Sequence, residues 1–139
     1  IKDNDIYFAG DIDVKNLPEW YRTANLFIHL AWIEPSGNAH LEAIACGLPV
    51  LCVNNGGLKE TIKLTKSGII SHADKNYNYE LVDYYNPPKP NYSILMEDFK
   101  KILTNYEEIK KSIDLSPIDI KNTAKQYKNF INEICNQKK

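Results

Sequence analysis

Residues 33–53 read IEPSGNAHLEAIACGLPVLCV and combine a loop, a helix and a strand in one short stretch. Apolar residues at helical spacing predict a helix from about Asn38 to Cys46, and Gly47 is typical of the position just after a helix ends. The residues that this helix is expected to bury are Leu41, Ile44 and Ala45. The apolar run Pro49–Val53 predicts a strand covered on both faces, as in a parallel sheet. This stretch therefore predicts one helix-to-strand unit of an α/β fold.

Segments of strand and helix character alternate on both sides of this unit. The patterns predict strands at Ile6–Gly10, Leu26–Ala31 and Gly68–Ile70 and helices at Leu17–Ala24 and Leu58–Leu64. Such alternation is the signature of an open parallel sheet wound with right-handed crossovers. We therefore predict an α/β fold, a Rossmann-like parallel sheet with flanking helices, in which residues 1–139 form a single domain.

The sequence changes character after Ser71. Residues 72–91 are polar, rich in tyrosine and interrupted by proline, which predicts a long surface excursion. Apolar residues then recur with the spacing of one helix face. These patterns predict that residues 92–139 form two closing helices, at about Tyr92–Ile113 and Ile118–Asn136.

The chain has 139 residues, of which 43% are apolar and 25% are charged, and its formal net charge is -1. This composition is typical of a globular domain, and so small a net charge provides no attraction for nucleic acid. No apolar run approaches the length of a transmembrane segment, and no N-terminal targeting segment is evident. We predict a cytoplasmic protein without a nucleic-acid partner or a transmembrane segment. Because the sequence lacks an initiating methionine and opens just before a predicted strand, we also expect a piece of a longer protein.

The three cysteines, Cys46, Cys52 and Cys135, contain no C-x-x-C pair. Their odd number and spacing predict neither a disulfide framework nor a zinc site. We interpret them as reduced, small buried apolar residues and predict no metal. His29 is interpreted as a packed core residue, and His40 as a structural or solvated residue in preference to a ligand contact.

Glu34 and Glu42 flank a Pro-Ser-Gly-Asn turn that leads from a predicted strand into a helix. Ligands of open parallel sheets bind at the carboxyl ends of the strands, over such loops. Gly37 would allow a ligand close to the backbone, and free amides at the helix start suit a phosphate or a sugar hydroxyl. Because glutamate is rarely buried unpaired, Glu42 is expected to bind two hydroxyl groups, such as the vicinal diol of a ribose. The simpler alternative is a pair of carboxylates that only complement the helix dipole.

Several motifs occur in a fixed order between residues 6 and 70. They are a strand ending in Gly10, YRTANLFI at Tyr21–Ile28, the E-x7-E pair, LEAIACGLPV at Leu41–Val50 and GGLKE at Gly56–Glu60. This order resembles the donor-binding half of a family 4 retaining GT-B glycosyltransferase, one of the glycosyl transferases group 1. The resemblance implies a partial C-terminal domain of a GT-B fold. It also implies retaining transfer of a hexosyl group from a nucleotide-sugar donor to an acceptor.

The same resemblance implies a role for each candidate residue. Glu42 would hold the ribose hydroxyls, the backbone of 36–39 would face the sugar and pyrophosphate, and Gly10 and Ile12 would lie beside the base. The donor-binding residues implied in this way are Glu42, Gly37, Ser36, Asn38, Ala39, Gly10 and Ile12. Glu34 is the catalytic candidate, and its role stays open between contact with the donor sugar and electrostatic stabilisation of the transition state.

The resemblance implies a UDP- or GDP-sugar as donor, with no cofactor and no metal. The acceptor, a glycan, lipid or small molecule, would bind an N-terminal domain outside this chain, so that the chain alone would be inactive. The location would be cytoplasmic, with peripheral attachment to the cytosolic membrane face as a variant. Two alternatives stay open: a non-catalytic nucleotide-sugar-binding module or degenerate transferase subunit, and a GT-B epimerase or phosphorylase relative. For Gly56, Gly57 and Glu60, the alternative is a tight strand-to-helix turn.

Overall fold

A computed structural model of the protein describes residues 5–77, 81, 83 and 85–136. In this part of the chain, three parallel strands form one sheet in the order β1-β2-β3. The strands are β1 (Phe27–His29), β2 (Val50–Val53) and β3 (Gly68–Ser71). Val50 of the central strand lies opposite Phe27 on one side and Gly68 on the other. The predicted Rossmann-like α/β class is confirmed.

Helices connect and flank the strands. The described helices are α1 (Leu17–Thr23), α2 (Ala39–Ala45), α3 (Leu58–Thr65), α4 (Tyr92–Thr104), α5 (Tyr106–Ser112) and α6 (Ile120–Asn136). Helix α2 joins β1 to β2, and α3 joins β2 to β3, as parallel pairing requires. The predicted α2–β2 unit is confirmed, and Gly47 has the positive φ of 79° that the residue after a helix commonly adopts.

The hydrophobic core lies between α2, α3 and the central strand β2. Its buried cluster consists of Ile44, Val50, Cys52, Leu58 and Ile62. All four residues of β2 are buried, which explains why the strand reads as an uninterrupted apolar run. Each large aliphatic side chain buried here stabilises the fold by roughly 1.5–3 kcal/mol.

The buried face of α2 differs from the expected one. The structure buries His40, Ala43 and Ile44, whereas Leu41 is half-buried and Ala45 is exposed. The cysteine interpretation also holds only in part. Cys52 is buried in β2, and burial raises its pKa to about 11, but Cys46 is half-buried and Cys135 is exposed on α6.

The strand predicted at Ile6–Gly10 is absent. Residues 6–10 are exposed and form no regular element, and Gly10 has a positive φ of 66°. A strand exists only through hydrogen bonds to a neighbour, and no described strand pairs with this segment. Its main anchoring contact is aromatic, because the Tyr7 ring stacks on Trp20 at 6.4 Å between centroids.

The closing helices also differ from the prediction. The first helix, predicted as Tyr92–Ile113, is divided at Asn105, whose φ of -106° and ψ of 21° leave the helical range. The side-chain amide of Asn105 donates a hydrogen bond of 2.9 Å to the Lys101 carbonyl and so ends α4. The second helix begins at Ile120 because Ser116–Ile118 forms a separate 3₁₀ turn.

The surface excursion predicted at 72–91 includes residues 78–80, 82 and 84, which lie outside the described residues. The described part of this segment contains neither helix nor strand. Its first residues pack onto the fold, since Ala73 is buried and its carbonyl accepts a hydrogen bond of 2.7 Å from the Asn91 amide. The excursion as a whole stays a prediction.

Candidate functional site

The loop that carries Glu34 rests directly on the Gly56–Gly57 turn. The Gly57 amide donates a hydrogen bond of 3.0 Å to the Glu34 carbonyl. A Cβ atom on Gly56 would lie 2.2 Å from that same oxygen, and one on Gly57 would lie 2.3 Å from the Pro35 carbonyl oxygen. Gly56 also has a φ of 80°, which favours glycine. The absence of side chains at the glycine pair therefore allows the backbone of the glutamate loop to pack directly against this turn.

The Glu34 side chain folds over Gly37. Glu34 is half-buried, and its Cδ lies 3.4 Å from the position that a Cβ on Gly37 would take. A larger residue at position 37 would press on the carboxylate. Gly37 thus lets Glu34 approach the backbone at the start of α2.

His40, on the first turn of α2, is a buried neighbour of this carboxylate. It is 2% exposed, and no described residue hydrogen-bonds its Nδ1. Burial, followed by the nearby His29, lowers the pKa of His40 below its ordinary value, and Glu34 opposes this shift. The lowered pKa favours the neutral imidazole at neutral pH. Of the two interpretations left open for His40, burial supports the structural one and excludes the solvated one.

Glu42 lies exposed on α2 and accepts a hydrogen bond of 3.2 Å from the Tyr21 hydroxyl of α1. Burial and this hydrogen bond raise the pKa of Tyr21. The two side chains border a groove of about 280 Å³ between α1 and α2. The groove is lined by Val14, Leu17, Pro18, Tyr21, Glu42, Ala45 and Cys46. A carboxylate thus stands at the edge of a largely apolar groove.

The remaining predicted residues lie on two segments beside these features. Gly10 is exposed and Ile12 is half-buried, and they lead into the 3₁₀ turn that begins at Val14 in the groove wall. Ser36, Asn38 and Ala39 are exposed at the start of α2, where the Asn38 side chain makes no capping hydrogen bond. The first amides of α2 lack the carbonyl partners that later turns provide. The structure thus groups Glu42 with the groove, and Glu34 with Gly37 and His40.

Sequence analysis missed a hydrogen-bond network that joins the loops after the three strands. The Trp32 indole and the Asn55 side-chain amide each donate to the Lys75 carbonyl, both at 2.9 Å. The side-chain oxygen Oδ1 of Asn55 accepts a hydrogen bond of 3.1 Å from the Tyr77 backbone amide. Paired asparagines directly after a buried strand were the sequence signal, because short amide side chains there can bridge to neighbouring loops.

The described residues contain no group of three or more His, Cys, Asp or Glu side chains arranged to hold a metal ion. Within the same ranges of the chain, no helix has the length and apolar character needed to cross a membrane.

A parallel sheet with helices between its strands and polar side chains on its post-strand loops defines a Rossmann-like α/β domain. The family model for glycosyl transferases group 1 matches residues 2–81, more than half of the chain. The chain belongs to this family.

Three relatives illustrate the range of similar proteins. Spore coat protein SA of Bacillus subtilis is 35% identical over 72 residues, which are 51% of this chain and 19% of the relative. A D-inositol 3-phosphate glycosyltransferase of Paenarthrobacter aurescens is also 35% identical over 72 residues, covering 50% of this chain and 18% of that protein. Protein CapJ of Staphylococcus aureus is 31% identical over 122 residues, covering 77% of this chain and 31% of CapJ. The chain therefore spans about a fifth to a third of these relatives. No solved structure matches it significantly.

Proposed function

We propose that this chain is the donor-binding part of a retaining glycosyltransferase that takes a hexosyl group from a UDP- or GDP-sugar. The observation that carries the proposal is the pairing of two acidic features on α2 and its loop. Glu42 borders an apolar groove, and the loop of Glu34 is seated on two glycines at the carboxyl end of β1. This edge of a parallel sheet is where open α/β folds bind nucleotides.

The groove has the chemistry expected for a nucleoside. Its apolar wall suits a flat base, and the exposed Glu42 carboxylate can accept hydrogen bonds from the two hydroxyls of a ribose. Tyr21 already donates to one oxygen of this carboxylate and so fixes its orientation. The volume of about 280 Å³ is close to the lower end of small-molecule sites. In this proposal, Gly10 and Ile12 approach the base.

The sugar and the pyrophosphate belong beside Glu34. Ser36, Asn38 and Ala39 are exposed at the start of α2, where backbone amides favour anionic oxygens. His40 is neutral, so it does not cancel the charge of the Glu34 carboxylate. A retained negative charge next to the sugar would stabilise the positive charge that develops as the nucleoside diphosphate departs. The role of Glu34 is contact with the sugar, electrostatic stabilisation, or both.

The ribose role is tested with Glu42→Ala in the protein at its natural full length. UDP and GDP are titrated by calorimetry, and the affinity of the preferred nucleotide is expected to fall by roughly 10- to 100-fold, because two charge-assisted hydrogen bonds are lost. Glu108→Ala, on the exposed surface of α5, is the matched control and is expected to bind normally. Wild-type affinity in Glu42→Ala would contradict the ribose role.

A second candidate is a non-catalytic nucleotide-sugar-binding module. It is favoured by the packing of the Glu34 side chain against Gly37, which fills the space that a ligand would use to approach this backbone. Glu34→Gln separates the two candidates. In an enzyme, this variant keeps nucleotide affinity and loses sugar transfer, measured as release of nucleoside diphosphate with cell-derived acceptors. If the wild-type protein binds the nucleotide but never releases diphosphate from the sugar donor, the non-catalytic module is correct.

The acceptor side belongs to the proposal as well. A glycan, lipid or small-molecule acceptor would meet the donor through a domain outside this chain, and the chain alone would then not turn over. A cytoplasmic location, with or without peripheral attachment to the cytosolic membrane face, accords with a nucleotide-sugar donor.

A further inference from the structure

A second cavity of about 280 Å³ lies at the carboxyl ends of β2 and β3. It is lined by Asn54, Asn55, Lys59, Lys63, Ile70, His72, Asn76 and Tyr77. None of these residues lines the groove of Glu42, so the cavity is separate from that groove. The candidate residues of the proposed donor site do not contribute to it.

The wall of this cavity is positively charged. Lys59 and Lys63 lie one turn apart on α3 and reach it from the same side, and His72 borders it just after β3. No carboxylate stands among the lining residues. Neither lysine forms an ion pair with a described residue, whereas Lys101 on α4 is held by Asp98 at 2.8 Å. Two lysines without carboxylate partners beside a concave surface are suited to an anion.

A side-chain amide adds hydrogen-bonding capacity to this wall. Asn54 is 8% exposed, and its side-chain nitrogen donates to the Asn76 side-chain oxygen at 2.8 Å. This bond fixes the exposed Asn76 side chain at the cavity wall. A side-chain amide nitrogen donates two hydrogen bonds. Asn76 Nδ2 is therefore suited to an oxygen of a ligand hydroxyl.

The cavity is held open by contacts outside it. The backbone amide of Tyr77 is fixed by Asn55, and its ring packs edge-on against Trp32 at 6.0 Å between centroids. Ile70 of β3 lies in the floor and is partly buried against the core cluster. Because strand and loop are fixed independently of a ligand, binding requires little rearrangement.

We propose that this cavity binds a small hydroxylated phosphate monoester, of the size of a sugar phosphate. Lys59 and Lys63 contact the phosphoryl oxygens, and Asn76 Nδ2 donates a hydrogen bond to a ligand hydroxyl oxygen. Ile70 and the Tyr77 ring contact the carbon skeleton. The site is independent of the nucleotide, because the two cavities have no residue in common.

The test uses the protein at its natural full length and three probes: glucose 6-phosphate, inorganic phosphate and glucose. Calorimetric titrations are expected to show glucose 6-phosphate binding more tightly than inorganic phosphate, with glucose the weakest. The double variant Lys59→Gln/Lys63→Gln is expected to weaken glucose 6-phosphate binding by about tenfold or more, since two charge-assisted contacts are removed. Binding of UDP or GDP should be unchanged in the same variant.

The matched control is Lys121→Gln/Lys125→Gln, which removes two charges at the same spacing on α6. Equal losses in both double variants would show a general charge effect and overturn the proposal. Wild-type affinity in Lys59→Gln/Lys63→Gln, inorganic phosphate binding as tightly as glucose 6-phosphate, or competition between glucose 6-phosphate and UDP or GDP would also overturn it. Circular dichroism of both variants checks that the fold is intact, and loss of nucleotide binding in Glu42→Ala leaves this test unaffected.

Discussion

Strand β2 and helix α6 are opposite extremes of burial in the described part of the chain. All four residues of β2 are buried, whereas α6 has 17 residues and none of them is buried. The helix does have an apolar face, which includes Tyr127, Phe130 and Ile131. These side chains are 66%, 59% and 57% exposed. Apolar residues therefore stabilise this fold where neighbouring elements cover them. Strand β2 has β1 and β3 beside it and the core residues of α2 and α3 against it.

This difference in burial is tested most directly by replacing one isoleucine in each region with alanine. Ile44→Ala removes a fully buried side chain that packs on β2 and is expected to lower the free energy of unfolding by about 2–5 kcal/mol. Ile131→Ala on α6 is expected to change it by about 0.5 kcal/mol or less. Urea unfolding followed by circular dichroism measures both. Similar losses in the two variants would mean that α6 is covered in solution.

The glycine turn beside β2 provides the next largest effect. Gly56→Ala is expected to cost about 2–4 kcal/mol, because the new Cβ would meet the Glu34 carbonyl oxygen and the φ of 80° is strained for alanine. Gly47→Ala is the control, since its φ of 79° is similar but nothing lies within 4 Å of the new atom. Strain alone should cost the control about 1–2 kcal/mol. Equal losses of unfolding free energy in the same urea assay would show that the close contact with the Glu34 loop is not the reason why glycine is needed at position 56.

A smaller effect is expected at the start of α4, the helix that packs against β3. The Asn91 side chain accepts hydrogen bonds from the amides of Ser93 and Ile94 at 3.1 and 3.4 Å. Asn91→Ala is expected to lower stability by about 1 kcal/mol, as for other helix caps. Asn129→Ala, in the exposed middle of α6, should leave the melting temperature unchanged or slightly raise it. A loss in Asn129→Ala as large as that in Asn91→Ala would argue against the capping role.

The smallest effect concerns pH and the buried Asp98 of α4. Burial acts to raise the pKa of this carboxyl, but the hydrogen bond and charge of Lys101, together with contributions from Ser71 and His72, outweigh it, and the pKa falls below its ordinary value of 3.8. A lowered pKa contributes stability above about pH 3.8 that is lost as the pH falls through the folded-state value. Between pH 5 and pH 2.5, the melting temperature should therefore fall less in Asp98→Asn than in the wild-type protein. Parallel curves would show that Asp98 does not contribute to acid sensitivity.

The parts of the fold that were predictable from sequence are those set by local chemistry. The α2–β2 unit follows from helical spacing, a glycine that tolerates positive φ and an apolar run. The segment Ile6–Gly10 has the same strand-forming composition, but it needs a hydrogen-bonded neighbour that composition does not reveal. The end of α4 at Asn105 was not predicted from the sequence either. The apolar periodicity continues across Asn105, and the side-chain hydrogen bond found at the end of this helix leaves no signal in that periodicity.

The candidate site was also predictable from the sequence only in part. The positions of Glu34 and Glu42 around a turn were evident from the sequence, whereas the Tyr21 hydroxyl that meets Glu42 comes from a different helix. The sequence left open whether His40 is structural or solvated, because the buried face of α2 is rotated by about one residue from the purely apolar one. Long-range partners such as Asn55 and Lys75 depend on how three loops meet, which only the tertiary structure determines.

The glycine support under the Glu34 loop bears on how substrate preference would evolve in this protein. The backbone of Glu34 and Pro35 lies so close to Gly56 and Gly57 that the loop has no room to move inward. If this loop binds a sugar donor as proposed, changes in donor preference would come from exchanging exposed side chains, such as Ser36 and Asn38, on a fixed backbone. Loop grafts from relatives should succeed when they preserve the loop length and both glycines, and fail when they alter either.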